Sequence, residues 1–305
     1  MAANSALQPT RLSVIVIAHN MAREIPRTLT SLSRDYQLEA AELGYEVILI
    51  DNGSTQPLDP ATWSHIDAPV KYLRLDDAHP SPAQAINLGA QQATGEILCL
   101  MIDGAHLLTP GVFKLAMAAD LAMPEAVVAL RYFFLGPDEQ NHSMADGYNQ
   151  SIEDQLLSSV NWPSDGYRLF EIGTPFRAGS AGTNWLHKVF ESNCLFLRRS
   201  RFEALGGADE AFNLPGGGFG NLDLYKRACD SPGVNPVQII GEGSFHQIHG
   251  GTTTNVPIAD RKRRTELYQE QYRKIRGHDN YVTDKDIFYL GHLPTEHSKI
   301  HRYHR

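Results

Sequence analysis

The stretch that decides the fold class is Glu96-Ile97-Leu98-Cys99-Leu100-Met101-Ile102-Asp103-Gly104-Ala105-His106. Its apolar run ends abruptly in an acid and a glycine, and the chain then turns at Thr109-Pro110-Gly111. An apolar run with turn residues after it is typical of a strand covered on both faces. Ligands of open α/β sheets bind at the carboxyl ends of such strands. Asp103 therefore lies either in a solvated turn or at a binding site, where a carboxylate can hold a ribose hydroxyl or a divalent cation.

Two similar runs precede this one. Leu12–Ala18 predicts a first strand that stops at His19 and Asn20, and Tyr45–Ile50 predicts a second strand that ends in Asp51-Asn52-Gly53-Ser54. The helical pattern between them makes a βαβ unit, so the two strands are predicted to be parallel. The fingerprint G-x-G-x-x-G of dinucleotide-binding folds is absent after the first strand, so a nucleotide would be held in another way.

The alternation of strands and helices continues to about residue 134 and then weakens. The polar, turn-rich segment 136–188 is typical of a functional loop or lid, with one helix around 151–160. The other predicted elements are strands at 70–75, 126–134, 192–198 and 237–240, helices over 83–93, 112–119, 201–205, 221–228 and 261–276, and a solvated, histidine-rich tail. Gly95 is predicted to end the 83–93 helix as a left-handed cap. The glycines of 216–220 precede a helix N-terminus, an arrangement that binds anions.

Size and charge exclude several classes of protein. A chain of 305 residues is long enough for one large α/β domain or two small ones. The net charge of −8 provides no basic field that would recruit nucleic acid. No secretory signal is recognised in 1–10, and no apolar run approaches the roughly 20 residues of a membrane span. Cys99, Cys194 and Cys229 are odd in number and widely spaced, which is not a zinc or disulfide pattern. Cys99 and Cys194 lie in apolar runs, which predicts buried thiols and a reducing, cytoplasmic compartment.

Four stretches, in this order, resemble the family 2 glycosyltransferases with the GT-A fold. Each resembles one motif of that family: its opening strand, its V-V-D-D/N-G-S strand end, its R-N-x-G…A-x-G-E…L-D segment and its acceptor-side G-G-F-D-E…E-D-x-D-L segment. The stretches are 14–20, 46–54, 85–103, and 202–212 with 216–224. The resemblance covers roughly residues 12–250, and it rests on the occurrence of all four stretches in the family's order.

The resemblance implies an α/β protein with a GT-A (Rossmann-like) fold. We expect a mixed, mostly parallel sheet flanked by helices, an irregular acceptor-side region and a C-terminal helical tail. The expected GT-A domain is 1–255, with a nucleotide-sugar half at about 10–135 and an acceptor half at about 136–255. A helical extension over 256–305 would follow, with self-association through its helix as a further expectation.

The resemblance also implies roles for individual residues. For the nucleotide sugar we expect His19, Asn20, Asp51 and Asp103, at predicted strand ends in the donor-side motifs, and Asn87, from the next predicted helix. For the acceptor we expect Asp209 and Trp185. The plain alternatives are a turn at Asp51 and Asn52, where Asn-Gly-Ser favours one, and a packing role for Trp185.

Two departures from the family pattern concern the metal and the base. The D-x-D motif would require an acid at position 105, where Ala105 stands. A cation site rebuilt from Asp103 and His246, with His106 as a further candidate, would suit Mn²⁺ better than Mg²⁺ because it mixes oxygen and imidazole ligands.

His246 corresponds in place to a late histidine that ligates metal in some GT-A enzymes, whereas a turn is the simpler role for His106. His249 is a candidate to face phosphate.

The family's acidic pair, which includes its usual catalytic base, aligns with Gly220 and Asn221. Asp223 is the remaining acid of that cluster and is predicted as the general base. The alternatives are Asp209, for which an acceptor role is preferred, and the absence of a dedicated base from this segment.

The function implied is the transfer of a hexose-type sugar, with inversion, from a nucleotide-diphosphate-sugar donor to a hydroxyl of a saccharide or lipid-linked saccharide. The setting would be surface-polysaccharide or O-antigen synthesis in the cytoplasm, at the periphery of the inner membrane. One alternative is a degenerate member that binds nucleotide or glycan without turnover, which Ala105 and Gly220-Asn221 favour. The other is a nucleotidyltransferase, although His19-Asn20-Met21-Ala22 lacks the basic glycine-rich loop expected there.

Overall fold

The computed structural model describes residues 10–176, 185–191 and 193–293, and these form a mixed sheet with helices on both faces. The strands are β1 (Leu12–Ala18), β2 (Tyr45–Asn52), β3 (Val70–Leu75), β4 (Ile97–Met101), β5 (His106–Leu108), β6 (Ala126–Leu135), β7 (Gly173–Pro175), β8 (Leu195–Arg198), β9 (Asn235–His246) and β10 (Phe288–Gly291). The helices are α1 (Ile25–Ser31), α2 (Ala83–Gln92), α3 (Val112–Ala122), α4 (Gln140–Ala145), α5 (Gln150–Val160), α6 (Leu169–Ile172), α7 (Arg199–Ala204), α8 (Gly220–Asp230) and α9 (Ile258–Arg276).

The order of strands across the sheet is β10-β9-β6-β8-β4-β1-β2-β3. The neighbours of β1 are parallel to it, as predicted, and so are the pairs β2–β3, β6–β9 and β9–β10. Only β8 runs against both of its neighbours, β4 and β6, within this path. Because β8 is antiparallel to both β4 and β6, strands β4 and β6 run in the same direction. β9 is parallel to β6, so it ends at the same edge of the sheet as β1, β2 and β4. The predicted fold class, an α/β protein with a mostly parallel sheet, is confirmed.

Both faces of the sheet are buried, because successive residues of each central strand point to opposite faces. In β1, Val14 and Val16 belong to the core beneath α1 and α3, whereas Ile15 and Ile17 belong to the core beneath α2 and α8. β2 shows the same alternation between its valine and leucine and its isoleucines. This two-sided burial is the reason for continuous apolar runs rather than alternating ones.

Strand β9 changes neighbours along its length. Its first half pairs with β10, and its last three residues pair antiparallel with β5. A register shift on the β6 side, between Ala129 and Arg131, accommodates this change. The β5 pairing sets His106 directly opposite His246.

Three local predictions are corrected by the structure. α2 ends at Gln92 and Ala93 is extended, so Gly95 is not a left-handed cap. Gly95 is needed for close packing instead, since a Cβ there would lie 2.7 Å from the backbone nitrogen of Ser13. His106 lies in a strand and is fully buried, so it is not a turn residue.

The C-terminal extension contributes more than a helix. As well as α9, it adds β10 to the edge of the same sheet, and Tyr268 and Tyr272 of α9 are buried against the chain. The predicted start of a strand at position 192 and the histidines at 297, 301 and 304 lie outside the described residues. None of the helices within the described ranges is long and apolar enough to cross a membrane.

Candidate active site

A cavity of about 890 Å³ opens at the edge of the sheet where β1, β2 and β4 end. One part of its wall comes from the loops after these strands and includes His19, Asn20, Asn52 and Asp103. The other part comes from residues beyond 175, among them the glycine run and α9. The cavity therefore lies between the predicted nucleotide-sugar half and the predicted acceptor half, at the edge where open α/β sheets bind ligands.

Asp103 faces the cavity and is contacted by two histidines. Its Oδ2 lies 3.0 Å from Nε2 of His249 and 3.3 Å from Nε2 of His246, and its Oδ1 accepts the backbone N–H of Ala105 at 3.0 Å. Burial favours the neutral carboxyl, but the charge and hydrogen bonds of His249 and His246 outweigh it and hold the pKa of Asp103 well below its usual range. Asp103 is therefore an anion at the wall of the cavity.

The tautomer of His246 is fixed by Gln140. The Gln140 amide donates through Nε2 to the carbonyl of His246, and its Oε1 accepts from Asn255 at 2.8 Å. Oε1 therefore also accepts from Nδ1 of His246, at 2.7 Å, which leaves the neutral ring with a lone pair at Nε2. Burial lowers the pKa of His246 despite the opposing charge of Asp103, so the ring is neutral at pH 7.

His106 adds a third imidazole behind this pair. It is fully buried, its Nδ1 lies 2.6 Å from the hydroxyl of Ser244, and its ring centroid lies 5.1 Å from that of His246. Burial, reinforced by the neighbouring His246, lowers the pKa of His106 to about 3. Among the described residues, Nε2 of His106 finds no hydrogen-bond partner.

These groups fit a divalent cation. Ligand atoms of Asp103, His106 and His246 all lie within 4.8 Å of one another. A carboxylate with neutral imidazoles is a common ligand set for transition metals, and a histidine ligand usually donates its other N–H to an acceptor, as His246 does to Gln140. The side chain of Ala105 is a methyl group, which gives no ligand, and it is fully buried in the core. The acid missing from D-x-D is therefore not replaced at its own position, and imidazoles stand beside Asp103 instead.

His19 and Asn20 lie at the cavity wall in a tightly held turn. His19 donates from Nδ1 to the carbonyl of Asn52 at 2.9 Å, and the Asn20 side chain accepts the backbone N–H of Thr55 at 2.8 Å. Asn20 has a φ of 55°, in the left-handed region that asparagine tolerates better than most residues. Sequence motifs at two separate strand ends thus form one surface.

Asp51 does not reach the cavity wall. Its side chain is fully buried and accepts from the backbone of Ser54 at 2.8 Å and from Arg74 at 2.8 Å. Asn52, the next residue, lines the cavity instead. In this structure Asp51 holds the loop that carries the wall, so a direct contact with the nucleotide, as predicted, is not available to it.

Three other predicted residues also lie away from the wall. Asn87 bonds to both backbone atoms of Ala208, at 2.8 and 2.9 Å, and so ties α2 to the loop before α8. Asp209 is paired with Arg276 at 2.6 Å. Trp185 is buried in an aromatic cluster with Phe133 and Phe170. The acceptor roles predicted for Asp209 and Trp185 therefore have no support in their positions, and for Trp185 the packing alternative describes its surroundings.

Asp223 is enclosed by arginines and lies outside the cavity wall. Only 1% of its side chain is exposed, Arg227 contacts Oδ2 at 2.7 Å, and Arg276 contacts Oδ1 at 2.6 Å. Both carboxylate oxygens are thus occupied by guanidinium groups, and the buried side chain presents no face to the cavity. The role of Asp223 as the general base therefore stays a prediction that its position does not support.

Besides Asp103, the carboxylate of Glu191 reaches the wall, and the sequence reasoning missed it. It accepts from the side-chain amide of Asn221 at 2.5 Å. Its position in the sequence could have indicated this, because Glu191 shortly precedes β8. β8 is antiparallel to β4 and β6, so its amino end lies at their carboxyl ends. Burial raises the pKa of Glu191 to about 7, against the lowering effects of Asn221 and of the charge of Arg261.

An aromatic wall, also missed, lines the same part of the cavity. It is a continuous row in which successive ring centroids lie 5.0 to 6.4 Å apart. The row consists of Phe176, Phe190, Tyr281, Phe219 and Tyr268. These residues come from five separate places along the chain, so no sequence pattern unites them.

Comparison with known proteins places this geometry in a family. Residues 13–200 match the family described as "Glycosyl transferase family 2". Over 176 residues, or 56% of its length, the chain is 30% identical to the O-antigen biosynthesis protein RfbC of Myxococcus xanthus, and it spans only 13% of that relative. S. aureus TarS 1-349, solved in complex with UDP-GlcNAc, shares the fold, with a TM-score of 0.51 and 15% identity over 91% of this chain and 68% of that one. Because the family match covers more than half of the sequence, the chain belongs to glycosyl transferase family 2.

Proposed function

We propose that this protein transfers a hexose-type sugar, with inversion, from a nucleotide-diphosphate-sugar donor to a hydroxyl acceptor. The observation that carries the proposal is the cluster of Asp103 and its histidines at the wall of a large cavity, at the carboxyl ends of parallel strands. Family membership alone would leave the chemistry open, because function depends on the site rather than on the fold.

The donor would lie along the wall formed by His19, Asn20, Asn52 and Asp103. These residues lie in the loops at neighbouring strand ends and offer amide, imidazole and carboxylate groups, which suit the base and ribose of a nucleotide. UDP is the first nucleotide to test, because a relative in fold was solved in complex with UDP-GlcNAc. Asp51 and Asn87 would act indirectly, because their hydrogen bonds hold the segments that face the donor.

The leaving nucleoside diphosphate needs its charge neutralised. Asp103 and His246, with His106 behind them and His249 facing the cavity, would hold a divalent cation, which supplies positive charge to the phosphates when bound. The mixture of oxygen and imidazole ligands favours Mn²⁺ over Mg²⁺. The side chain of Arg261 lines the same cavity and adds a fixed positive charge.

The acceptor would occupy the part of the cavity along the aromatic wall. Aromatic faces suit the apolar faces of sugar rings, while Asn193 and Asn221 offer polar groups nearby. The proposed acceptor is therefore a saccharide, free or lipid-linked. Surface-polysaccharide synthesis is proposed as the setting because a relative in sequence is an O-antigen biosynthesis protein.

The cellular setting and the assembly remain part of the same proposal. A cytoplasmic location is supported by three buried cysteines that form no disulfide, which suits a reducing compartment, and a position at the membrane periphery is part of the proposal. The domain limits stay as predicted, with the qualification that α9 and β10 of the extension complete the wall and the sheet. Self-association through α9 is a prediction for solution measurements.

The experiment is a panel of UDP-, GDP- and dTDP-sugars, assayed for binding and for hydrolysis with Mn²⁺ and with EDTA. We expect one donor to bind with micromolar affinity and to be hydrolysed slowly, with turnover lost in EDTA. Donor binding without any turnover would favour the degenerate member that Ala105 and Gly220-Asn221 suggested. Transfer of a nucleotidyl group from a nucleoside triphosphate, with no reaction of nucleotide sugars, would favour the nucleotidyltransferase.

A further inference from the structure

An inverting transfer requires a group that takes the proton of the acceptor hydroxyl. The positions where the family carries its acidic pair hold Gly220 and Asn221. Asp223, the nearest remaining acid, is enclosed by Arg227 and Arg276 and does not reach the cavity. The proposed reaction therefore lacks a base in that segment, and the cavity wall is the place to look for one.

Among the described residues, the acids that line the cavity are Asp103 and Glu191. Asp103 is engaged by two histidines and belongs to the candidate metal site. Glu191 stands apart from that cluster, in the acceptor part of the wall between Phe190 and Asn193. Its Oε2 accepts from Asn221, which leaves lone pairs on the carboxylate for another donor.

We propose that Glu191 is the general base of the transfer, in place of the acidic pair that Gly220 and Asn221 replace. The inference rests on the proposed function. In the step, the acceptor oxygen forms a bond to the anomeric carbon while its proton passes to the Glu191 carboxylate. The bond from the anomeric carbon to the leaving phosphate oxygen breaks, and its electron pair leaves with the nucleoside diphosphate.

Asn221 acts as a positioning residue in this arrangement. It lies in the first turn of α8, and its side-chain amide donates to the Glu191 carboxylate at 2.5 Å. Asn221 stands at a position of the family's acidic pair, and there it orients a base that another segment supplies. Phe190, the neighbour of Glu191 in the chain, belongs to the aromatic wall proposed for the acceptor. The base and the proposed acceptor surface are therefore built from adjacent residues.

The electrostatic surroundings support the same role. Burial raises the pKa of Glu191 to about 7, close to the value at which a general base is most effective. The opposing contributions come from Asn221 and from the positive charge of Arg261 on α9. Tyr132 of β6 lies within electrostatic range of both Asp103 and Glu191. Burial, and then the negative charges of these two carboxylates, raise the pKa of Tyr132, so its hydroxyl stays neutral.

The test is donor hydrolysis, in which water takes the place of the acceptor, by Glu191→Gln and by the matched control Glu203→Gln. Glu203 is an exposed residue of α7 with no part in the site. With the donor found active for the wild type and saturating Mn²⁺, we expect Glu191→Gln to lose about 10²- to 10⁴-fold in kcat. Donor affinity should stay within threefold, and the control should match the wild type.

The pH profile separates a base from a merely structural residue. The wild-type kcat should fall tenfold per unit below a pH of about 7, because the protonated carboxyl cannot accept a proton, and this limb should be absent in Glu191→Gln. Retention of both the rate and the limb in a folded Glu191→Gln would overturn the proposal. If the variant fails to fold, ¹³C-NMR titration of wild-type Glu191 decides, since a midpoint near 4.5 would overturn it and one near 7 would support it. Failure of the wild type to turn over any donor would instead refute the proposed function.

Discussion

The Nε2 atoms of His246 and His249 lie 3.1 Å apart, and both face Oδ2 of Asp103. Gln140 fixes the proton of His246 on Nδ1, so its Nε2 brings a lone pair towards an ionised carboxylate. Such a convergence of acceptors requires a positive charge between them, either the proton of His249 or a metal ion. Burial opposes protonation of His249, but Asp103 outweighs it and raises the His249 pKa.

Removing a ligand from this cluster is expected to abolish tight cation binding. Asp103→Asn and His246→Gln should each weaken Mn²⁺ affinity by more than about 100-fold, because loss of a direct ligand exceeds the 10- to 100-fold effect of an outer partner. The measurement is isothermal titration calorimetry, with His65→Gln as a control at an exposed position. Unchanged affinity in Asp103→Asn would remove this cluster as the metal site.

The hydrogen bond from His246 to Gln140 should matter nearly as much as the ligands. Gln140→Leu removes the acceptor that holds the Nδ1 proton, so we expect Mn²⁺ affinity to fall about 10- to 100-fold. The unfolding free energy should also fall by about 1–3 kcal/mol, because buried partners lose their hydrogen bonds. Gln91→Leu, at an exposed position of α2, is the control for both readouts. Wild-type metal affinity in Gln140→Leu would show that Gln140 does not tune the site.

Asp223→Asn is expected to damage stability rather than chemistry. Its carboxylate compensates Arg227 and Arg276 and is almost fully buried, so the variant should lose about 3–5 kcal/mol of unfolding free energy. Urea denaturation measures this loss, and Asp279→Asn, whose partner Arg273 is exposed, should change stability by less than about 0.5 kcal/mol. Full stability combined with loss of turnover would restore Asp223 as a candidate base.

Asp51→Asn tests the loop-holding role of Asp51 through its pH dependence. Burial alone would raise the Asp51 pKa, but hydrogen bonds from Ser54 and Leu58 and the contact with Arg74 lower it overall. Because the folded pKa lies below the unfolded value, the stabilisation is present at neutral pH and is lost as the pH falls through the folded pKa.

We expect Asp51→Asn to cost about 1–3 kcal/mol at pH 7, and the difference from the wild type should shrink below the ordinary aspartate pKa of about 3.9. Urea titrations at both pH values measure it. A difference that does not vary with pH would contradict a charged role for Asp51.

The sequence by itself determined the layers of this protein and the edge at which its site lies. Continuous apolar runs that end in polar residues require strands buried on both faces, and their parallel direction gathers His19, Asn52 and Asp103 at one edge. His246 was predicted through its correspondence to a late histidine of some GT-A enzymes, and it lies at the end of β9, opposite His106.

Only the tertiary structure decided which acids face the cavity. Asp51 pairs with Arg74, which lies 23 residues further along the chain. Asp223 pairs with Arg276, which lies 53 residues further along. In both pairs the carboxylate is buried. Glu191 forms no ion pair with any residue that the structure describes, and it lies at the wall because β8 runs against its neighbours. Spacing along the chain cannot encode these outcomes, since the partner that buries or frees a carboxylate is chosen by packing between distant segments.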